Sequence, residues 1–129
     1  MDPTLLLVAL QGAADGIVIT DRDGTIQWVN DAFSRMTGYS QDVVGQNPRR
    51  LKGGTHEQSL YADLWRTILS GSPWHGELVN KRKNGVLYTE EQSITPVLND
   101  RQEITHFICI KRDITARRQM DSGSPGATA

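Results

Sequence analysis

Hydrophobic spacing changes several times along the chain, and each change marks a new element. Residues 4–14 are apolar, with Leu6, Leu10 and Ala13 at helical spacing, which predicts a short N-terminal helix that docks on another surface. Gly16 to Thr20 is β-branched and predicts a strand, Asp21-Arg22-Asp23-Gly24 a hairpin turn, and the alternation from Thr25 to Val29 the returning strand. Asn30 and Asp31 are suited to cap a short helix that buries Phe33 and Met36 and ends at Gly38. Ser40 is placed to cap one further turn, with Val43 and Val44 inside. Leu60, Tyr61, Leu64, Trp65, Ile68 and Leu69 recur at threes and fours, the mark of an amphipathic helix. Thr55 to Gln58 forms a capping box before it, and Gly71 and Pro73 stop it.

The remainder is strand-like. Trp74 to Arg82, Val86 to Thr95 and Ile104 to Arg112 read as three strands, separated by Asn84-Gly85 and by the looser Asn99-Asp100-Arg101-Gln102. Pro96 is expected to limit pairing at its end of the middle strand. Hairpins at both ends of the chain, with short helices between, predict an α+β fold. Its antiparallel sheet of five strands has the helices gathered on one face, and its two halves join through strands that are not neighbours in sequence. Residues 1–15 form an N-terminal capping helix and 16–115 the domain. Residues 116–129 begin a helix and pass into a polar, breaker-rich tail.

Composition narrows the function classes. The chain has 129 residues, enough for one self-sufficient core, and its net charge of −1 offers no basic surface for nucleic acid. Cys109 is the only cysteine, which excludes an internal disulfide and fits a reducing, cytoplasmic setting. No apolar run reaches the roughly 18–20 residues of a membrane span, and Leu5 to Leu10 lacks the basic flank of a signal peptide.

Read in order, these elements resemble the PAS domain family. "GIVITDRDGTIQWVNDAFSRMTGYSQDVVGQNPRRLKGG" is similar to the first half of that family, including N-x-A-F at Asn30 to Phe33 and T-G-Y-S at Thr37 to Ser40. "WHGELVNKRKNGVLYTEEQSITPV" is similar to the second half, and Asp113-Ile114-Thr115 resembles the motif that leads into an output helix. The resemblance implies a sensor or interaction module rather than an enzyme. It also implies a pocket between sheet and helices, dimerisation through the N-terminal helix and outer sheet face, and an effector such as a histidine kinase or diguanylate cyclase.

The resemblance also frames the site. Light-sensing LOV members carry N-C-R-F-L-Q where this chain has Asn47-Pro48-Arg49-Arg50-Leu51-Lys52. Proline lacks the thiol that adds to the flavin, so no photoadduct is expected, and Pro48 with Gly53-Gly54 reads as a corner and hinge. By alignment Glu90 and Lys111 replace two flavin-contacting amides, and Asn80 retains a third. Trp74 to Lys83 resembles the FAD-binding PAS domain of the nitrogen-fixation redox regulator, which makes FAD a candidate cofactor, with Trp74 as an aromatic wall and Asn80 supplying an amide. Asn47 is expected to cap or bond across its turn. A haem ligand would fall to His56, whose place beside the capping box favours an exposed helix residue, so haem is disfavoured. His75 and His106 show no metal-ligand spacing with it. The candidate cofactor-binding set is therefore Asn47, Trp74, Asn80, Glu90 and Lys111, with no catalytic and no metal residues.

Strand alternation gives that set a geometry. If Asn80 faces inward, Leu78 and Gly76 do too; Glu90 carries Tyr88, Gln92 and Ile94; Lys111 carries Cys109 and Phe107. Glu90 and Lys111 are then opposite charges in the interior and are expected to pair, which would narrow or polarise the pocket and favours a small metabolite or a self-filled pocket over a large apolar ring. Val79, Ile108 and Ile110 face out and need cover, which predicts a homodimer with the helix of Leu6 and Leu10 at or near the interface. No nucleophile motif is present, the neighbours Glu90 and Glu91 point to opposite faces, and Gly53-Gly54 lacks the tail of a phosphate loop.

Overall fold

Hydrogen bonding of the two terminal hairpins to each other builds the sheet. The computed structural model describes residues 2–47 and 58–116. The elements are α1 (Pro3–Gln11), β1 (Gly16–Asp21), β2 (Ile26–Val29), α2 (Asp31–Thr37), a 3-10 turn (Gln41–Val43), α3 (Gln58–Leu69), β3 (Trp74–Lys81), β4 (Leu87–Leu98) and β5 (Ile104–Asp113). The five strands are antiparallel in the order β2-β1-β5-β4-β3, so the first and last strands meet at the centre. Val18 faces Cys109 and Thr20 faces Phe107 across that seam. The helices between the hairpins lie over one face, and Val18, Ile26, Val29, Phe33, Leu64, Ile68, Leu78 and Phe107 form one core there.

Asn30 ties three elements together from a fully buried position. Its Oδ1 accepts from the Ile17 and Phe33 amides at 2.8 and 3.1 Å, capping α2 while holding β1. Its Nδ2 donates to the Leu10 and Asp15 carbonyls at 2.9 and 3.0 Å, which fixes the end of α1. Gly38 closes α2 in the left-handed conformation, as expected of a C-cap glycine.

Several local expectations change. α1 has no buried residue: Leu5 is 60% and Val8 63% exposed, so the helix is anchored by its C-terminal end and leaves its apolar surface open. Val44, expected inside, is exposed, because the 3-10 turn is too short to bury a second valine beside Val43. Ser40 does not cap that turn with its side chain; Asp42 instead accepts from the Ser40 amide at 2.8 Å. β4 runs on past Pro96 to Leu98. The last β3 partner is Trp74 opposite Ile94, so Pro96 lies where β4 is paired with β5 alone and an absent N–H costs little. The capping box at Thr55 to Gln58 and the corner at Pro48 to Gly54 lie outside the described side chains.

Asn30→Ala orphans two amides and two carbonyls near the join of α1, β1 and α2. It should lower unfolding stability by about 2–4 kcal/mol in urea denaturation, most of it desolvated hydrogen-bonding groups left unpaired; a loss under about 1 kcal/mol would contradict this role.

Candidate functional site

Alternation along β3, β4 and β5 aims one face of each at the helices. Asn80, Tyr88, Glu90, Gln92, Cys109 and Lys111 all lie on that face, as their register and burial show. All of these but Glu90 form one wall of a cavity of about 110 Å³ between sheet and helices. A single water needs about 10–15 Å³ of such space, so the cavity is several waters in size. Phe33, Tyr39, Tyr61, Leu64, Trp65 and Phe107 make the rest largely apolar and aromatic. Trp65 meets Phe107 edge-on, with ring centroids 6.2 Å apart. At the β1–β2 turn Gly24 has φ +91°, and a Cβ there would approach the Trp65 ring to 3.0 Å, so glycine suits both the turn and the wall.

Glu90 organises the polar wall from behind it. Its side chain is 0% and that of Lys111 14% exposed, and Lys111 Nζ lies 3.4 Å from Glu90 Oε1. Asn80 Nδ2 donates to the same oxygen in a short contact, Gln92 Nε2 donates at 3.2 Å, and the Tyr88 hydroxyl reaches Oε2 at 3.5 Å. A carboxylate buried this completely needs such a shell, since an unpaired one costs several kcal/mol. The expected Glu90–Lys111 pair therefore exists, and Gln92 and Tyr88 join it. Burial and the Glu90 charge both push the Tyr88 phenol far above its ordinary value, so it stays protonated as a donor. The Cys109 thiol is pushed up to about 11, chiefly by burial, partly offset by Lys111.

The five predicted residues divide. Asn80 and Lys111 line the cavity, and Glu90 lies behind that wall, bonded to both. Trp74 does not line it: its ring folds back along β3 over Gly76, where a Cβ would sit 2.5 Å away, and Trp74 becomes core. Asn47 does not line it either; its Nδ2 donates to the Asp23 carbonyl at 3.1 Å and braces the β1–β2 turn. Gln92, Tyr88, Tyr61 and Trp65 enter the site without having been singled out. Period-two alternation already placed Gln92 and Tyr88 inward, and the apolar stripe of α3 held the other two.

A second polar cluster lies at the end of the same sheet face. Arg82 donates through Nη1 to the Met36 carbonyl, pairs through Nη2 with Asp113 Oδ2 at 2.7 Å, and lies 4.3 Å over the Tyr88 ring. Burial raises the Asp113 carboxyl, but hydrogen bonds from Thr115 and Arg82 outweigh it and hold the group below the usual carboxylate range. Beyond it the Ile114 amide donates to the Thr89 carbonyl and the Thr89 amide to Thr115 Oγ1, both at 2.9 Å. Among the described residues, no cluster of His, Cys, Asp and Glu is placed to hold a metal ion, and no helix is long and apolar enough to cross a membrane. His56 lies outside the described residues; His75 Nδ1 is 2.7 Å from Ser93 Oγ on the outer face.

A family model described as "PAS domain" matches residues 14–116. The nitrogen fixation regulatory protein of Klebsiella oxytoca is 39% identical over 114 residues, which cover 88% of this chain and 23% of that protein. Hybrid signal transduction histidine kinase L of Dictyostelium discoideum is 32% identical over 114 residues, covering 88% of this chain and 6% of that protein. The chain thus spans under a quarter of the length of these relatives. Among solved structures, an RNA-binding Light-Oxygen-Voltage receptor superposes with a TM-score of 0.85 at 28% identity, covering 92% of this chain and 34% of that one.

Lys111→Met leaves the Glu90 carboxylate buried without its cation and should cost about 3–5 kcal/mol of stability; replacing Glu90 with Leu as well should recover most of that loss in the same denaturation assay. Native protein should resist a thiol reagent at neutral pH, because Cys109 is buried and protonated, and should react once urea unfolds it. Rapid labelling of the folded protein would contradict the closed wall.

Proposed function

This chain belongs to the PAS domain family, and from that premise we propose that it is the sensory module of a larger signalling protein, binding the ring of a flavin such as FAD in its cavity. PAS domains serve in signalling proteins, as the regulator and kinase relatives do, and such sensory domains are generally non-catalytic. The observation that carries the proposal is the cavity, with aromatic and apolar walls on most sides and a single polar wall of Asn80, Gln92 and Lys111 set by Glu90. That division suits a flat ring with one polar edge. The residues present fit the ring end of a flavin, while at about 110 Å³ the cavity is too small for the whole dinucleotide, whose remainder would extend outward. Bound, a flavin supplies reversible electron and hydride chemistry. The chain's own part is to orient the polar edge, exclude water and place Lys111 near it.

On this reading residues 16–115 are the sensing core, 1–15 the dimer-forming segment, and 116–129 the start of the output linker to a histidine kinase or diguanylate cyclase. The proposed setting is the cytoplasm, with no nucleic-acid partner and no catalysis of its own. A second reading, a cofactor-free dimerisation module, is favoured by a different observation. Leu5, Leu6, Leu7 and Val8 are exposed on α1, and Ile110 on the outer face of the sheet, where Ile19 also bridges Trp28 and Ile108. A homodimer that covers these surfaces serves either reading.

Freshly purified protein should carry the visible absorbance of a flavin and release that flavin on denaturation, as read by mass spectrometry. A colourless protein that releases no small molecule and takes up no added FAD would replace the sensing reading with the interaction module.

A further inference from the structure

One amine of the chain stands beside a buried carboxylate and faces an apolar space. Lys111 borders the cavity, and its Nζ lies 3.4 Å from Glu90 Oε1 and 6.0 Å over the Phe33 ring. Both side chains of the pair are largely shut from solvent. The other described lysines are placed differently. Lys83 is exposed and pairs with Asp42, and Lys81 is exposed although it too borders the cavity.

An ammonium attacks a carbonyl only after giving up a proton. Glu90 is within reach to take that proton from Lys111 Nζ and later to return it. The nitrogen then bonds to the carbonyl carbon, and the carbonyl oxygen takes a second Nζ proton to become a hydroxyl. Glu90 gives its proton to that hydroxyl, the C–O bond breaks, and water leaves. An aldehyde and an ammonium thus yield a protonated imine and one water, with Glu90 a carboxylate at the start and at the end. The product carries its positive charge where the ammonium carried it, so the buried carboxylate keeps its counter-charge.

The surroundings suit this chemistry. Asn80 Nδ2 and Gln92 Nε2 donate to the same Glu90 oxygen and hold the carboxylate in place beside the amine. Phe33, Leu78 and Phe107 offer apolar walls to the body of a ligand, and about 110 Å³ limits that body to a small one.

We propose that Lys111 is a covalent ligand site. It holds a small aldehyde with a flat apolar body, such as an aromatic aldehyde, as an imine, with Glu90 as proton carrier and counter-ion. This goes beyond the flavin reading. The two ligands compete for the same space, and neither requires the other.

The test is reductive trapping. The full chain is incubated at neutral pH with benzaldehyde and cyanoborohydride, which reduces an imine to a stable amine, and each lysine is read by peptide mass spectrometry. Folded protein should label Lys111 about tenfold faster than Lys81 or Lys83, and urea should abolish that preference. Glu90→Gln keeps the shape and removes the proton carrier. It should slow labelling of Lys111 by about tenfold or more and leave Lys81 and Lys83 unchanged. If Glu90→Gln does not fold, native protein with pyrene carboxaldehyde takes its place. That aldehyde is too large for the cavity and should label Lys81 and Lys83 while sparing Lys111. Labelling of Lys111 no faster than that of the two exposed lysines, a rate indifferent to Glu90→Gln, or equal labelling of Lys111 by both aldehydes overturns the site. The measurement uses no flavin, so its outcome is separate from that of the sensing reading.

Discussion

Burying the Glu90 carboxylate imposes a condition that the rest of the cavity wall satisfies. An ion removed from water costs several kcal/mol unless a cation and further donors surround it. Lys111 supplies the charge, and Asn80, Gln92 and Tyr88 supply hydrogen bonds, each from a different position on β3, β4 or β5. The carboxylate thereby fixes the orientation of Asn80, Tyr88, Gln92 and Lys111 along the cavity. An amide that spends one N–H on Glu90 cannot rotate freely, so the wall offers a fixed pattern of donors and acceptors to whatever enters. A cluster of this kind adds little net stability; its effect is to hold the wall in one arrangement.

The same face of the sheet carries both the polar wall and the end of the last strand. Antiparallel pairing brings Asp113 opposite Glu90 and Tyr88 opposite Asn80, which sets the end of the last strand beside the polar wall. The family motif at Asp113 to Thr115 thus leaves the sheet at Thr89 and Glu90, the chain neighbours of the cavity residue Tyr88. Toward the other end of the chain, the buried Asn30 pins α1 to the start of α2 through carbonyls of Leu10 and Asp15.

Much of this was legible in the sequence, for identifiable physical reasons. Asn84-Gly85 and Asp23-Gly24 specify their turns locally, and a period of two then decides which strand residues face inward, so Glu90 and Lys111 could be paired before any coordinates. Gly38 and Asn30 act as caps through contacts within a few residues. What remained hidden depends on groups far apart in sequence. Trp74 looked like a cavity wall because alternation fixes its face but not the rotamer that lays its ring along β3 over Gly76. Asn47 braces a turn 24 residues away. The contacts of Arg82 are hidden because its partners, Met36 and Asp113, lie 46 and 31 residues distant. Pro96 read as the end of a strand because sequence does not say on which side that strand has lost its neighbour.

The central claim is that ligand meets the chain at the wall organised by Glu90. Titration with FAD, followed by NMR of the side-chain amides of Asn80 and Gln92, tests it most directly. The account predicts that these two signals shift and broaden early, while the backbone amides of Leu5 to Val8 on α1 stay in place. Shifts confined to α1 and the outer face of the sheet, with Asn80 and Gln92 unmoved, would contradict it.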